Sequence, residues 1–210
     1  MTIWDGIYQK YKRDGEEYAT LKKGLMPEFL DFIQGGDFKE KTVLDLGCGN
    51  GKYLAFLKNL GFAVDGIDSS PTAVEMSREI IGTDSNILLA DIYNCDLPKG
   101  RYGLIISISA IHHGLKSQVK NAIMNAHSAL LPGGKFFITL PDNAGSARWA
   151  MMSDYEEIEP GTRMPLAGPE KGLPHSSFNE DEIKEIFASF SSFKMFLLAH
   201  RGRWIISGVK

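Results

Sequence analysis

The chain has 210 residues, 43% of them hydrophobic and 23% charged, with a formal net charge of −3 and a sequence pI near 6.0. That length suits one α/β domain with a full core, and the slight acidity excludes a broad electrostatic footprint for nucleic acid while leaving a local basic patch possible. Two cysteines, Cys48 and Cys95, make no disulfide framework and fit the reduced thiols of a cytoplasmic protein.

The amino terminus lacks the basic and then apolar regions of a signal peptide. No stretch approaches the roughly 20 apolar residues of a membrane span, 104–111 being the nearest. Residues 1–41 carry Trp4, Tyr8, Tyr11, Tyr18, Phe29 and Phe32 among charges, and helices are expected near 2–13 and 25–34. Lys10, Lys12, Arg13, Lys22 and Lys23 are interrupted by Asp14, Glu16 and Glu17, which reads as a solvated helix surface rather than a nucleic-acid face.

Residues 42–46, Thr-Val-Leu-Asp-Leu, have the length and apolar character of a buried parallel strand. The carboxyl end of such a strand is where open α/β sheets bind ligands. Gly47, Gly49 and Gly51 alternate there, so the backbone can turn tightly and approach a ligand without a Cβ in the way. From Lys52 the period changes, and Tyr53, Leu54, Phe56, Leu57 and Leu60 share one helical stripe. A dinucleotide fingerprint requires its third glycine at position 52, where this chain has Lys. The G-x-G-x-G spacing, preceded by Asp45, instead resembles the nucleotide-binding turn of the class I, Rossmann-like S-adenosylmethionine-dependent methyltransferases. The resemblance implies cofactor contacts from Asp45, Gly47, Cys48, Gly49 and Gly51.

Residues 62–67 read as the second strand, ending in Asp68, and Ser70-Pro71 signals the start of a helix. An acidic residue about 20 positions after a glycine turn can accept hydrogen bonds from both ribose hydroxyls of an adenosine group. Asp68 with Ser69 fits that role; the alternatives are an aspartate that only caps the helix, or Asp65 in its place. A third strand at 86–90 precedes Asp91 and Ile92. In the family these positions accept the adenine amino group and pack on its ring, although a plain loop aspartate remains open.

A fourth strand at 102–109 runs into Ala110-Ile111-His112-His113-Gly114. The resemblance turns the backbone near Ser107 and Ile108 toward the methionine end of the cofactor. His112 and His113 are candidate general bases, since a histidine near pKa 6.5 can take a proton from an attacking hydroxyl or amine; bracing the loop is the other reading. No metal is expected there, because neighbouring side chains diverge and no carboxylate or cysteine is spaced to complete a site. A helix at 117–131 follows, then Pro132-Gly133-Gly134, which resembles the family's turn before its fifth strand, here 135–140.

Residues 141–178 are rich in Gly and Pro without a long apolar period, and this is where family members insert substrate-binding segments. Trp149, Met151, Met152, Tyr155, Arg163 and His175 are candidate lining residues there, Trp149, Tyr155, Arg163 and His175 being the substrate contacts selected. Asp154, Glu156, Glu157 and Glu159 make one part acidic. Asn179 with Glu182 signals a capping box, with Ile183, Ile186, Phe187 and Phe190 as the buried stripe. Two closing strands at 193–199 and 204–209 read as a hairpin.

The expectation is therefore a single α/β domain at 42–210 with a mostly parallel seven-stranded sheet, an antiparallel carboxyl-terminal strand and helices on both faces. A helical segment at 1–41 covers the cofactor site, and 141–178 forms a substrate-binding insertion or lid. S-adenosylmethionine is the implied cofactor and S-adenosylhomocysteine the product. A small-molecule acceptor is favoured over tRNA because binding a phosphate backbone calls for a basic surface. The tRNA alternative rests on resemblance of residues 47–54, 106–113 and 175–178 to the wobble-uridine methyltransferases. A non-catalytic cofactor-binding regulator is the third reading, and oligomeric state is left open.

Overall fold

The computed structural model describes residues 2–14, 24–82, 85–145 and 154–210. Strand β1 (Thr42–Leu46) lies at the centre because its side chains are apolar on both faces: Val43 packs into one layer while Leu44 and Leu46 enter the other. It pairs in parallel with β2 (Ala63–Asp68) on one side and β4 (Tyr102–Ser107) on the other. With β3 (Asn86–Leu89), β5 (Leu130–Pro141), β9 (Ser192–Leu198) and β10 (Arg203–Val209), the sheet order is β3-β2-β1-β4-β5-β10-β9. Strand β10 is antiparallel to both of its neighbours, as the sequence predicts. The order reverses between β1 and β4, and the carboxyl ends of those strands therefore open a crevice.

Helices cover both faces. On one side α2 (Pro27–Gln34), α3 (Lys52–Asn59) and α4 (Pro71–Ile81) bury Phe29, Leu54, Leu57 and Val74 against Val43, Leu104 and Phe137. On the other, α5 (Lys116–Ala129) and α6 (Glu180–Ile186) bury Val119, Ile123 and Ile183 against Leu44, Ile105 and Phe136. Asn179 Oδ1 accepts from Glu182 N at 2.9 Å and Glu182 Oε2 accepts from Asn179 N at 2.8 Å, the reciprocal capping box. Ser70 Oγ accepts from Ala73 N at 3.1 Å to start α4 behind Pro71. Among the described helices none is long and apolar enough to cross a membrane.

Two expectations change. The fifth strand begins at Leu130, ahead of the Pro-Gly-Gly turn, because Leu130 pairs with Tyr102 and Lys135 with Leu104, so residues 131–134 bulge out between two paired positions. The segment 141–178 contains a second, three-stranded sheet, β6 (Tyr155–Glu159), β7 (Thr162–Pro165) and β8 (His175–Ser176). Its strands are short, β6 is mostly exposed and β7 half-buried, so they carry no long apolar alternation for a reader of the sequence to find.

Candidate active site

The glycine turn is built from β1 outward. Gly47 and Cys48 donate their N–H groups to Ile67 O at 2.8 and 3.0 Å, clamping the turn onto the end of β2. Gly47, Gly49 and Gly51 all have positive φ, at 80°, 56° and 78°, a region costly for residues bearing a Cβ. Asp68 is 8% exposed; its Oδ2 accepts from Gly49 N at 2.8 Å and its Oδ1 from Ser70 N at 2.9 Å. One carboxylate thus ties the glycine turn to the start of α4. Asp45, beneath the turn, is pushed up to about 8 by burial and by the charge of Asp68, with Lys52 opposing. A paired acid in a Cβ-free backbone cradle fits the adenosine and sulfonium parts of S-adenosylmethionine, which offer hydroxyl donors and a positive charge.

Helix α1 (Ile3–Asp14) lies across this turn. Asp5 Oδ1 accepts from Ser70 Oγ and Thr72 N, both at 3.1 Å. Burial pushes the Asp5 carboxyl up, but those bonds from Thr72 and Ser70 outweigh it and hold the group below its ordinary value. The Tyr8 hydroxyl occupies the space beside Gly49, where a Cβ would lie 2.3 Å from it. Tyr11 is half-buried, and Tyr18 lies outside the described residues.

On the far side of the crevice, Asp91 is exposed and accepts from Tyr93 N at 3.0 Å and Asn94 Nδ2 at 2.7 Å, next to the half-buried Ile92. Ser107 is fully buried. Its Oγ donates to Leu46 O at 2.8 Å and accepts from Ile111 N at 3.2 Å, stitching the loop after β4 to the end of β1. Ile108 is half-buried beside it. Ser109 follows with φ 60°, and its N–H donates to Thr139 Oγ1 at 2.9 Å.

That loop delivers the histidine pair, and the inserted sheet adds a third imidazole. His112 O accepts from Ser176 N at 2.9 Å and Gly114 O from Ser176 Oγ at 2.6 Å, which brings β8 and His175 beside the pair. Ring centroids are 3.9 Å apart for His112–His113 and 4.8 Å for His113–His175. Nitrogen atoms from the three rings lie within 4.8 Å of one another, so the third ligand whose absence argued against a metal is supplied by the fold. Trp4 from α1 meets His113 edge-on at 4.8 Å. His113 Nδ1 donates to Ala110 O at 2.8 Å, which fixes the neutral ring's lone pair on Nε2. His112 Nδ1 is buried without a hydrogen-bond partner among the described residues.

All three imidazoles are disfavoured as cations. Burial pushes His112 and His113 well down, aided by their histidine neighbours and by Arg203, while burial and Arg203 push His175 down to about 4. Glu170 Oε2 lies 3.4 Å from His175 Nε2, and burial pushes its carboxyl up to about 7. Arg163 stands opposite His175 in the β7–β8 register with its guanidinium over the exposed Tyr155 ring at 5.3 Å. Trp149, Met151 and Met152 lie outside the described residues.

Of the residues the sequence points to, Asp45, the glycines, Cys48, Asp68 and Ser69 converge at β1–β2, and Ser107, Ile108, His112, His113 and His175 at β4. Three residues escape a reading of the sequence, Asp5, Thr139 and Arg203, and Trp4 is legible there only as one of the leading aromatics. The one available signal was the basic turn at 200–203 on the ligand edge of the sheet.

The depressed histidines carry a stability prediction. Between about pH 4 and 6.5 the unfolded chain binds the His175 proton and the folded one does not, so stability is full above pH 6.5 and falls as pH drops toward 4. Glu170, raised, has the opposite sign. His175→Asn should reduce the loss between pH 7.5 and 5.0 by about 1–2 kcal/mol in urea unfolding; an unchanged difference would remove the assignment.

A family model described as a methyltransferase domain matches residues 16–190. The tRNA (carboxymethyluridine(34)-5-O)-methyltransferase ALKBH8 of Mus musculus is 27% identical over 151 residues, 71% of this chain and 21% of that protein. The 2-heptyl-1-hydroxyquinolin-4(1H)-one methyltransferase of Mycobacteroides abscessus is 28% identical over 123 residues, 56% of this chain and 53% of that protein. The matched spans therefore cover from about a fifth to about half of these relatives' length. The crystal structure of Burkholderia thailandensis 1,6-didemethyltoxoflavin-N1-methyltransferase, with 1,6-didemethyltoxoflavin and S-adenosylhomocysteine bound, aligns with a TM-score of 0.65 at 17% identity, over 99% of this chain and 87% of that one. With the glycine turn, the reversal of strand order at β1 and the matched span in agreement, the chain belongs to the methyltransferase domain family and has its Rossmann-like class I fold.

Proposed function

We propose that the protein transfers a methyl group from S-adenosylmethionine to a small-molecule acceptor held between α1, the loop at 109–114 and the inserted sheet β6–β8. In this reading Asp45 and the Gly47–Gly51 backbone border the methionine and ribose parts, Asp68 and Ser69 take the ribose hydroxyls, and Asp91 with Ile92 takes the adenine. Ser107 and Ile108 border the sulfonium end. When bound, the cofactor supplies a methyl group already activated on a positive sulfur. The chain's own task is orientation, which can contribute roughly 7–11 kcal/mol in favourable cases. His112 and His113 hold the acceptor, with Tyr155, Arg163 and His175 on the insertion side and α1 as the cover.

The observation that carries this reading is the convergence of His112, His113 and His175 next to the glycine turn, closed from above by Trp4. An enclosed cluster of neutral side chains suits a small ligand better than a nucleic-acid backbone, and the net charge of −3 agrees. A tRNA acceptor is the second reading, supported by the name of the mouse relative and the motif at 106–113. The test is incubation with methyl-tritiated S-adenosylmethionine and a cell extract, followed by separation into low-mass, RNA and protein fractions. Label in the low-mass fraction is the expected result. Label confined to tRNA reverses the order of the two readings, and cofactor binding with no transfer to any fraction points to a regulator.

A further inference from the structure

We propose that His112, His113 and His175 together bind one divalent transition-metal ion, Zn2+ by the chemistry of the set, which keeps a coordination position open toward the acceptor. The role toward the acceptor rests on the methyltransferase reading, whereas the ion site rests on the imidazoles alone. From the sequence a metal is not expected, because adjacent side chains diverge and a third ligand is missing; the fold removes both objections. Ser109 has φ 60° and His113 N donates to Ala110 O at 3.1 Å, so the loop turns back on itself and the His112 and His113 rings lie 3.9 Å apart, tilted by 38°. His175 comes in on β8, opposite Arg163 of β7, and Ser176 beside it is bonded to His112 O and Gly114 O. Its ring centroid is 4.8 Å from that of His113 and 6.0 Å from that of His112.

Each ring has a nitrogen to give. His113 donates its Nδ1–H to Ala110 O at 2.8 Å, the outer hydrogen bond that metal-ligating histidines usually make, and this leaves the lone pair on Nε2. His112 Nδ1 and His175 Nε2 are buried without a hydrogen-bond partner among the described residues. An unpaired buried nitrogen is costly, and an ion bound to it removes that cost. His112 itself is 3% exposed, so water does not reach it freely. One nitrogen from each ring lies within 4.8 Å of the other two. Nitrogens about 2.0–2.1 Å from a tetrahedral Zn2+ stand roughly 3.3 Å apart, so closing on an ion brings any two of them together by about 1.5 Å at most, within the reach of small ring rotations.

The donor set selects the ion. Imidazole nitrogens suit Zn2+, Co2+ and Ni2+, whereas Mg2+ and Ca2+ require oxygen ligands. Three protein ligands rather than four are the arrangement that keeps one position open. The charge of Arg203 reaches all three rings and opposes a cation there, although burial acts on each of them more strongly. Its guanidinium is engaged with Thr139 Oγ1 at 3.3 Å. On the opposite, insertion side Glu170 places a carboxylate oxygen 3.4 Å from His175 Nε2, and that charge offsets the guanidinium once an ion is bound. The acceptor is then held by the ion's open position, with the imidazoles acting on it through the metal.

The experiment titrates Co2+ into the untagged full chain after a chelator has stripped it. A saturable visible absorption band of tetrahedral intensity at one Co2+ per chain is expected, displaced by Zn2+ and untouched by excess Mg2+. In His175→Ala the affinity should fall by at least about 10- to 100-fold, the loss typical of removing even an outer partner of a metal ligand. His127→Ala, whose ring packs on Phe190 instead, should bind as the wild type does. Transfer of tritiated methyl in a chelator-treated extract should fall on stripping and return with Zn2+ but not with Mg2+. Absence of the band, or equal Co2+ affinity in the wild type and His175→Ala, overturns the ion site and leaves the methyltransferase reading intact. Undiminished transfer by the stripped protein overturns the role toward the acceptor. If Co2+ binds as expected and no fraction is ever labelled, the ion site stands and the methyltransferase reading fails.

Discussion

Asp68→Ala is expected to weaken S-adenosylmethionine binding by about 1.5–3 kcal/mol, a ten- to hundredfold rise in Kd. The carboxylate has two functions that the substitution removes together. It orders the turn by accepting from Gly49 N and Ser70 N, and in the proposed binding mode its remaining lone pairs take the ribose hydroxyls. Burial pushes the group upward, and backbone hydrogen bonds from Ser70, Gly49 and Ser69 oppose this. Calorimetry with S-adenosylmethionine, run beside urea unfolding of the same variant, separates affinity from folding. A folded Asp68→Ala protein with wild-type affinity would remove the ribose assignment. Asp68→Asn keeps an acceptor oxygen without the charge and should lose an intermediate amount.

Gly47→Val should destabilise the protein by roughly 2–5 kcal/mol and abolish cofactor binding in whatever fraction remains folded. A Cβ at Gly47 would sit 2.3 Å from the Ala110 Cβ, and φ at this residue is 80°. The contact joins the cofactor turn to the loop that carries His112 and His113, so the added bulk pushes apart the two halves of the site. Gly133→Ala is the control, because φ there is 75° but nothing lies within 4 Å of a new Cβ. It should show the backbone strain alone, about 1–2 kcal/mol. Equal losses in denaturant unfolding for the two variants would mean that the approach of Gly47 to Ala110 is not tight in solution.

The elements legible in the sequence were those whose signals are local. Strand β1, the alternating glycines, α3, the Ser70-Pro71 start of α4 and the Asn179–Glu182 box each fix their geometry within a few residues, through φ preferences, capping and side-chain period. The inserted sheet was not legible, since β6 is exposed, β7 is only four residues long and both are fixed by contacts from elsewhere. Thr162 Oγ1 lies 2.7 Å from Ser176 Oγ, and Glu159 Oε1 accepts from Lys116 N at 2.7 Å. The acidic run of the expected lid therefore contains at least one carboxylate, Glu159, that anchors the insertion to the start of α5.

By itself the sequence determined the glycine-turn half of this protein, because a strand, a turn and an acid at the end of the next strand are all set by nearby residues. The histidine cluster of the proposed acceptor half was assembled only by the tertiary structure. His175 meets His113 because β8 hydrogen-bonds to the loop after β4, and Arg203 reaches the cluster because an antiparallel strand from the end of the chain inserts beside β5. Such contacts depend on topology and register, which carry no local signal, so the charge and shape of the acceptor site emerge only when distant segments share one edge of the sheet.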